Sequence, residues 1–393
     1  MNRDDLPLSG VRVIEFSHMV AGPFAGLVLA DLGADVIKVE PAPNGDNTRR
    51  LTGSGVGFFP CFNRNKRSAL LDLKTPDGLV TAKRLVGGAD VVIENFRPGA
   101  MDRLGLGREQ LKAVNPRLIY CSVKGFLAGP YEDRAALDEV VQMMAGLAYM
   151  TGPPGRPLRV GSSVNDIMGG MFAAIGVLGA LRKRDRGGPA EDITSGLFET
   201  CMVLMAQHMM QDRMLGQRVQ PMPMRLSAWG VYDVFDCSDG QLFIGVVTDT
   251  QWRVFCEGFG LADLAADARL QTNAQRCEAR DWLIPRLGEV FKTMRRADLE
   301  AKVAGLGLPY APVARPEDLF DDPHLKGSGG FLDVSLPDGS TAVTPALPMT
   351  FNDTRLGVRR DVPAPGADTR DVLAEAGLSA AEIAGLIGRG IAV

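Results

Sequence analysis

The N-terminal half of the chain alternates short β-branched runs with helical segments, and that alternation restricts the fold more than any other feature. Val11 to Phe16 reads as a strand, Phe24 to Leu32 as a helix and Asp35 to Glu40 as a second strand. Leu70 to Leu73, Gly78 to Leu85, Asp90 to Glu94 and Leu118 to Val123 continue the pattern. Consecutive βαβ units of this kind predict an α/β fold built on a parallel, doubly wound, Rossmann-like sheet. In such a sheet ligands sit beyond the carboxyl ends of the strands. The loops after Phe16, Glu40 and Glu94 are therefore the first places to look for a site.

Composition narrows the class of function. The chain has 393 residues, 46% hydrophobic and 23% charged, which is ordinary for a globular protein with a sizeable core. Its net charge is −4 and its Lys and Arg residues are scattered, which argues against a nucleic-acid footprint. No apolar stretch reads as approaching the about 20 residues of a membrane span, and Met1 to Pro7 lacks a signal-peptide core, so a cytoplasmic protein without a membrane partner is expected. The six cysteines form no Cys-x-x-Cys pair and the three histidines are dispersed, so neither a metal site nor a disulfide framework is expected. Gly53-Ser-Gly-Val-Gly57 meets neither dinucleotide nor P-loop spacing and reads as a flexible connection, leaving no nicotinamide or flavin motif.

Two kinds of chemistry-bearing residue remain. Strand-end loops carry Arg49, Arg50, Arg97 and Arg103, whose guanidinium forks suit phosphate or carboxylate, although scattered arginines are more often solvated. Asp166 stands where Val160-Gly-Ser-Ser-Val-Asn-Asp166 gives way to an apolar segment, Ile167 to Leu181, that reads as a helix. A carboxylate at a helix start is kept ionised by the unpaired amides and the macrodipole, while Gly169 and Gly170 leave room for a ligand. Either Ser163, Asn165 or Asp166 simply caps that helix, or Asp166 is a nucleophile.

The motifs then converge in order. Leu8-Ser-Gly-Val-Arg-Val-Ile-Glu-Phe16, Ala21-Gly-Pro23, Asp31-Leu-Gly-Ala-Asp-Val-Ile-Lys-Val-Glu40, Asn63-Arg-Asn-Lys-Arg-Ser68, Leu73-Lys-Thr-Pro-Asp-Gly78 and Glu94-Asn-Phe-Arg-Pro-Gly-Ala100 resemble the class III CoA-transferases (the CaiB/BaiF family). The likeness continues through Asp166, Tyr310-Ala-Pro-Val313 and Asp321-Asp-Pro-His324 and so covers nearly the whole chain. It implies that coenzyme A, as an acyl-CoA donor, is a substrate and that a free carboxylic acid is the acceptor. By position Asp166 matches the family's nucleophilic aspartate, which passes through a mixed anhydride and an aspartyl-CoA thioester. Asp138 matches a second acidic position beside it. Backbone amides of His18, Met19, Val20 and Ala21, with the Gly169-Gly170 helix start, are the candidates for stabilising oxyanions. Asp72, Leu73 and Lys74 resemble the adenine segment; Asn95, Phe96, Arg97, Ala100 and Arg103 resemble the loop along pantetheine and phosphates. Arg49, Arg50, Lys124 and Arg134 complete the expected contacts to coenzyme A.

Two alternatives stay open. The α-methylacyl-CoA racemases share this architecture but place a histidine directly before the acid matched by Asp138; here that residue is Leu137, which disfavours two-base proton exchange. A non-catalytic acyl-CoA binder is the other. The glycine-rich lid of the formyl-CoA transferases is replaced here by Pro221-Met-Pro-Met-Arg-Leu-Ser-Ala-Trp229, which sets oxalate aside. Arg225 is a candidate partner for a distal carboxylate, and the pattern around Trp229 resembles enzymes acting on C4–C5 dicarboxylates such as succinate, itaconate, mesaconate, malate or citramalate. Four stretches follow: residues 1–200 as the first part of a large CoA-binding domain, 201–221 as a linker helix region, 222–322 as a smaller α+β domain opening with a hairpin, and 323–393 returning to the large domain. The family resemblance further implies a homodimer of interlocked rings.

Overall fold

The strand-forming runs pair into one six-stranded sheet in a computed structural model that describes residues 5–393. Strands β1 (Arg12–Phe16), β2 (Asp35–Pro41), β3 (Lys66–Leu71), β4 (Val91–Glu94), β5 (Ile119–Lys124) and β6 (Ile193–Gly196) lie in the order β3-β2-β1-β4-β5-β6. Every neighbouring pair is parallel. A parallel sheet must be covered on both faces, and the side-chain alternation supplies two cores. Val13, Val36, Val91 and Ile119 face one way, onto helices Ala21–Asp31 and Val164–Asp185. Ile14, Ile37, Val92 and Leu118 face the other, onto helix Pro76–Gly87 and the C-terminal helices Thr369–Glu375 and Ala380–Gly388.

The chain runs β1 to β3 on one side of β1 and then crosses to β4, β5 and β6 on the other. That reversal makes the switch point of a doubly wound sheet, opening a crevice beyond the carboxyl ends of β1 and β4.

Two strands differ from the sequence expectation for physical reasons. Strand β3 starts at Lys66 rather than Leu70 because Lys66, Arg67 and Ser68, polar in sequence, are all buried and paired. β6 is only four residues long and carries no apolar run to mark it.

A network of buried charge underlies the crevice. Glu15 of β1 is fully buried and accepts from Lys38 Nζ of β2 at 3.3 Å and, through its other oxygen, pairs with Lys66 Nζ of β3 at 2.8 Å. Lys38 also donates to Ser17 O at 2.6 Å and pairs with Asp46 at 3.1 Å. Lys66 reaches Pro23 O and Asn63 Oδ1. Burial pushes the Lys66 ammonium down to about 8, against the pull of Glu15. Burial acts on Lys38 in the same sense, but Glu15 and Asp46 outweigh it and hold its value above the usual lysine range.

Helix Val164–Asp185 extends at both ends beyond the expected Ile167 to Leu181, since Asn165 and Asp166 join its first turn and Arg182 to Asp185 its last. At 22 residues it is long and apolar enough to cross a membrane, which corrects the expectation that no such segment exists. Here it packs against helix Ala21–Asp31: a Cβ on Gly170 would lie 2.5 Å from Ala21 O.

The chain divides into two compact units, Met1–Pro221 with His324–Val393, and Met222–Pro323. The second is built on an antiparallel sheet of β7 (Val231–Cys237), β8 (Gly240–Val246) and β9 (Tyr310–Pro312). Its core gathers Val231, Leu242, Ile244, Trp252, Phe255, Leu283, Phe291 and Leu299. In the first unit the chain after His324 adds an antiparallel hairpin, β10 (Phe331–Ser335) with β11 (Thr341–Pro345).

Gly26 tests the charge network. An added Cβ would lie 1.9 Å from Glu15 Oε2 and displace the carboxylate from Lys66. Gly26→Ala is expected to cost about 3–5 kcal/mol, the scale of breaking a buried ion pair. Thermal melting at fixed protein concentration measures it, and an unchanged melting temperature would show the network can shift freely.

Candidate active site

The loops after β1 and β4 meet at the switch point and are stitched together by one side chain. Asn95 Oδ1 accepts from His18 N at 3.0 Å, and Asn95 Nδ2 donates to His18 O at 2.8 Å. The His18 ring stacks on Phe96 with centroids 5.6 Å apart. Burial lowers the His18 pKa, with Asp46 opposing and Lys38 assisting, so the imidazole is neutral at pH 7. Met19 takes a left-handed backbone, φ 63°, and its amide donates to Thr48 Oγ1 at 3.0 Å. The loop ends at the first turn of helix Ala21–Asp31, where the amides of Ala21 and Gly22 have no intrahelical acceptor. Gly22 is required by crowding, since a Cβ there would lie 2.5 Å from the Ser17 Cβ.

These loops wall a cavity of about 360 Å³. His18, Met19, Val20 and Ala21 line one side, Asn95, Phe96 and Arg97 another, Lys124 and Arg134 a third, and Leu137, Asp138 and Asp166 complete it. Asp166 is the third residue of its helix. Of the three candidate caps, Ser163 occupies the N-cap position but makes no side-chain cap bond, and Asn165 and Asp166 lie inside the helix. Asp138 replaces it from another helix, Asp138–Met144: its Oδ2 accepts from Asn165 N at 2.8 Å and from Asp166 N at 3.1 Å. The long helix is therefore capped in trans by a carboxylate beside the candidate nucleophile.

That arrangement revises the charge state expected at Asp166. Burial, and after it the Asp138 carboxylate, raise its pKa to about 7, against a smaller opposing pull from Arg159. The macrodipole favours the anion by only about 0.3–1 kcal/mol, whereas removing a carboxylate from water costs several. Burial and like charge win, leaving Asp166 poised between its two forms at neutral pH.

Several expected ligand contacts are engaged otherwise. Arg49 donates through Nε and Nη2 to both Glu40 oxygens, at 2.7 and 2.6 Å, and through Nη1 to Pro363 O, with its guanidinium 3.7 Å from the Phe59 ring centroid. It is a structural tie, not a ligand fork. Arg50 bonds Asn44 O and Asn47 Oδ1 in its own loop. Lys124 is held by Glu94 at 2.7 Å and by Phe96 O at 2.8 Å, so it braces the loop it was expected to share with a ligand. Gly169 and Gly170 lie inside the helix, where amides belong to the i−4 ladder, so they are not free oxyanion donors. Their role is close approach: a Cβ on Gly169 would lie 2.5 Å from Leu197. Arg225 belongs to the second unit, where it donates to Met222 O at 2.9 Å and Tyr232 O at 3.1 Å.

Others remain open to solvent. Arg97, Arg103 and Arg134 are exposed, and none forms an ion pair among the described residues; Arg134 lies over the Tyr131 ring at 5.8 Å. Asp72, Leu73 and Lys74 form the turn after β3, with Asp72 Oδ1 accepting from Lys74 N at 3.0 Å. Ala100 opens the short helix Ala100–Arg103. Sequence reasoning missed Glu15, Lys38 and Lys66; the signal available was charge inside otherwise apolar strands. It also missed Gln142, whose spacing of four from Asp138 marks a helical neighbour.

Comparison with known proteins fits this geometry. A model of the family described as CoA-transferase family III matches residues 8–369. The chain is 36% identical to a succinate–glutarate CoA-transferase of Agrobacterium fabrum, covering 94% of this chain and 95% of that one. It is 34% identical to a succinyl-CoA–D-citramalate CoA-transferase of Chloroflexus aurantiacus, covering 95% and 94%. Among solved structures, a CaiB/BaiF family protein from Brucella suis superimposes with a TM-score of 0.83 at 36% identity, over 94% of this chain and 99% of that one. An ordered series of motifs, a parallel sheet with a cavity at its switch point and full-length likeness to transferases agree, and the chain belongs to CoA-transferase family III, an enzyme of the CoA-transferase type.

Proposed function

We propose that the enzyme moves coenzyme A from succinyl-CoA to a C4–C5 dicarboxylic acid through covalent intermediates on Asp166. The observation that carries this reading is a carboxylate with a pKa near 7 at a helix start, facing a cavity whose walls are the strand-end loops. An Asp166 oxygen attacks the thioester carbonyl carbon, the C–S bond breaks, and CoA leaves as thiolate, giving a mixed anhydride. The thiolate then attacks the Asp166 carbonyl carbon and expels the donor acid, leaving an aspartyl-CoA thioester. The acceptor carboxylate attacks that thioester and the same two steps run in reverse. Each step exchanges one activated acyl bond for another, so no activation is lost provided water is excluded.

The first-turn amides of Ala21 and Gly22 are suited to stabilise the tetrahedral oxyanion, while Arg97 and Arg103 offer exposed guanidinium groups, without an ion pair among the described residues, for phosphate. Leu137, 67% exposed beside Asp138, puts an alkyl group where a racemase needs an imidazole. The donor and acceptor class follows from the relatives, which are named for succinate, glutarate and D-citramalate. We further propose a homodimer working in the cytoplasm. Apolar Met171, Phe172 and Ile175 on the long helix, with Met202 and Val203, stay exposed in the single chain, as an interface would require. The six cysteines are all free, as in a reducing compartment.

Three outcomes test the reading. Asp166→Asn is expected to lower kcat by on the order of 10⁴-fold and to abolish the hydroxylamine-trappable adduct seen by mass spectrometry of the wild-type chain incubated with succinyl-CoA. Normal turnover by this variant would sink the nucleophile assignment. Because Asp166 must be ionised to attack, kcat/KM should fall about tenfold per pH unit below about 7 and level off above it. Arg97→Ala and Arg103→Ala should each raise KM for acyl-CoA about tenfold, one charge-assisted contact, while leaving the melting temperature unchanged.

A further inference from the structure

The helix Asp138–Met144 carries a second polar residue that the proposed chemistry does not use. Gln142 is fully buried, one helical turn after Asp138. Its Nε2 donates to Asp138 Oδ1, and its Oε1 accepts from Val160 N at 2.8 Å. The other Asp138 oxygen takes the amides of Asn165 and Asp166. One side chain thus ties together its own helix, the segment leading into the nucleophile helix and, through Asp138, the amide of Asp166 itself.

We propose that Gln142 is a positioning residue for the transfer reaction, holding the Asp138 carboxylate against the Asp166 amide so that the nucleophile is fixed at the cavity wall. The proposal rests on the reading of Asp166 as nucleophile. A buried amide that donates with one end and accepts with the other cannot be replaced by an apolar group without leaving two polar atoms unsatisfied. Held there, the Asp138 carboxylate adds its charge to burial in raising the Asp166 pKa. Arg159 is the other charged group acting on Asp166, and His18, Arg97, Lys124 and Arg134 line the same cavity. Of these six, counting Asp138, Gln142 touches only Asp138.

The test is a pH–rate profile of kcat/KM for wild type, Gln142→Met, Asp138→Asn and the double variant. Without its donor, the Asp138 carboxylate is no longer held against Asp166, so the like charge that raises the Asp166 pKa weakens and Asp166 keeps its charge to lower pH. Gln142→Met should move the acid limb down by about half a pH unit or more and lower the plateau about tenfold. Asp138→Asn should move the limb further in the same direction, and adding Gln142→Met to it should produce no further shift. If Gln142→Met does not fold, Gln142→Asn, which keeps the amide but cannot span both partners, should give the same displacement. A lower plateau with the limb unmoved, or an equal shift on top of Asp138→Asn, would overturn the proposal. Failure of the nucleophile assignment reads differently, as absence of a trapped adduct on wild-type Asp166.

Discussion

Glu15 is the interaction on which the site depends. Its carboxylate is buried where β1 approaches the switch point and is shared by Lys38 of β2 and Lys66 of β3, so one anion fixes three neighbouring strands in register. Removing ions from water is expensive, and such a network persists only if nearly every polar atom finds a partner. Here the remaining valences are spent on the loops around the cavity: Lys38 on Ser17 O and Asp46, Lys66 on Pro23 O, and Asp46 on Thr48 N, whose side chain receives the Met19 amide. The loop His18 to Ala21 is thereby held from beneath by ionic groups rather than by apolar packing. An apolar pair could fill the same volume but would supply none of the donors and acceptors that hold the loop's backbone.

Above that platform sit two carboxylates with separate tasks. Asp138 is an acceptor of three hydrogen bonds, from Gln142, Asn165 and Asp166. Asp166 has burial and a like charge against it and rises to about 7. A carboxylate that is reluctant to ionise is also poorly solvated once it does, which strengthens it as a nucleophile toward a thioester.

Much of this was legible in the sequence, and the exceptions have a common cause. The alternation of strands and helices implied a parallel sheet and pointed to the loops at its carboxyl ends, because period and burial are local properties. What was not legible depended on partners distant in sequence. Arg49 and Lys124 read as ligand forks because nothing local reveals Glu40 or Glu94 folding back on them. β3 read four residues short because Lys66 and Arg67 look exposed until Glu15, Asp35 and Glu375 are placed around them. The glycines at 169 and 170 read as room for a ligand, but what approaches them is protein: Leu197 on one side and the backbone of Ala21 on the other.

The cap of the helix that carries Asp166 bears on the competing readings of that residue. A residue that caps a helix places its side chain over its own amide ends and satisfies them with the oxygens an attacking group would need. Asp166 is instead the third helical residue, and capping has passed to Asp138, which reaches in from another helix while Ser163 contributes no side-chain bond. Delegating the cap leaves the Asp166 side chain at the cavity wall without a capping task, and keeps a negative charge beside it. The same carboxylate that anchors the helix therefore adds its charge to the larger effect of burial in raising the Asp166 pKa, so the position of Asp166 and part of its pKa shift share one source.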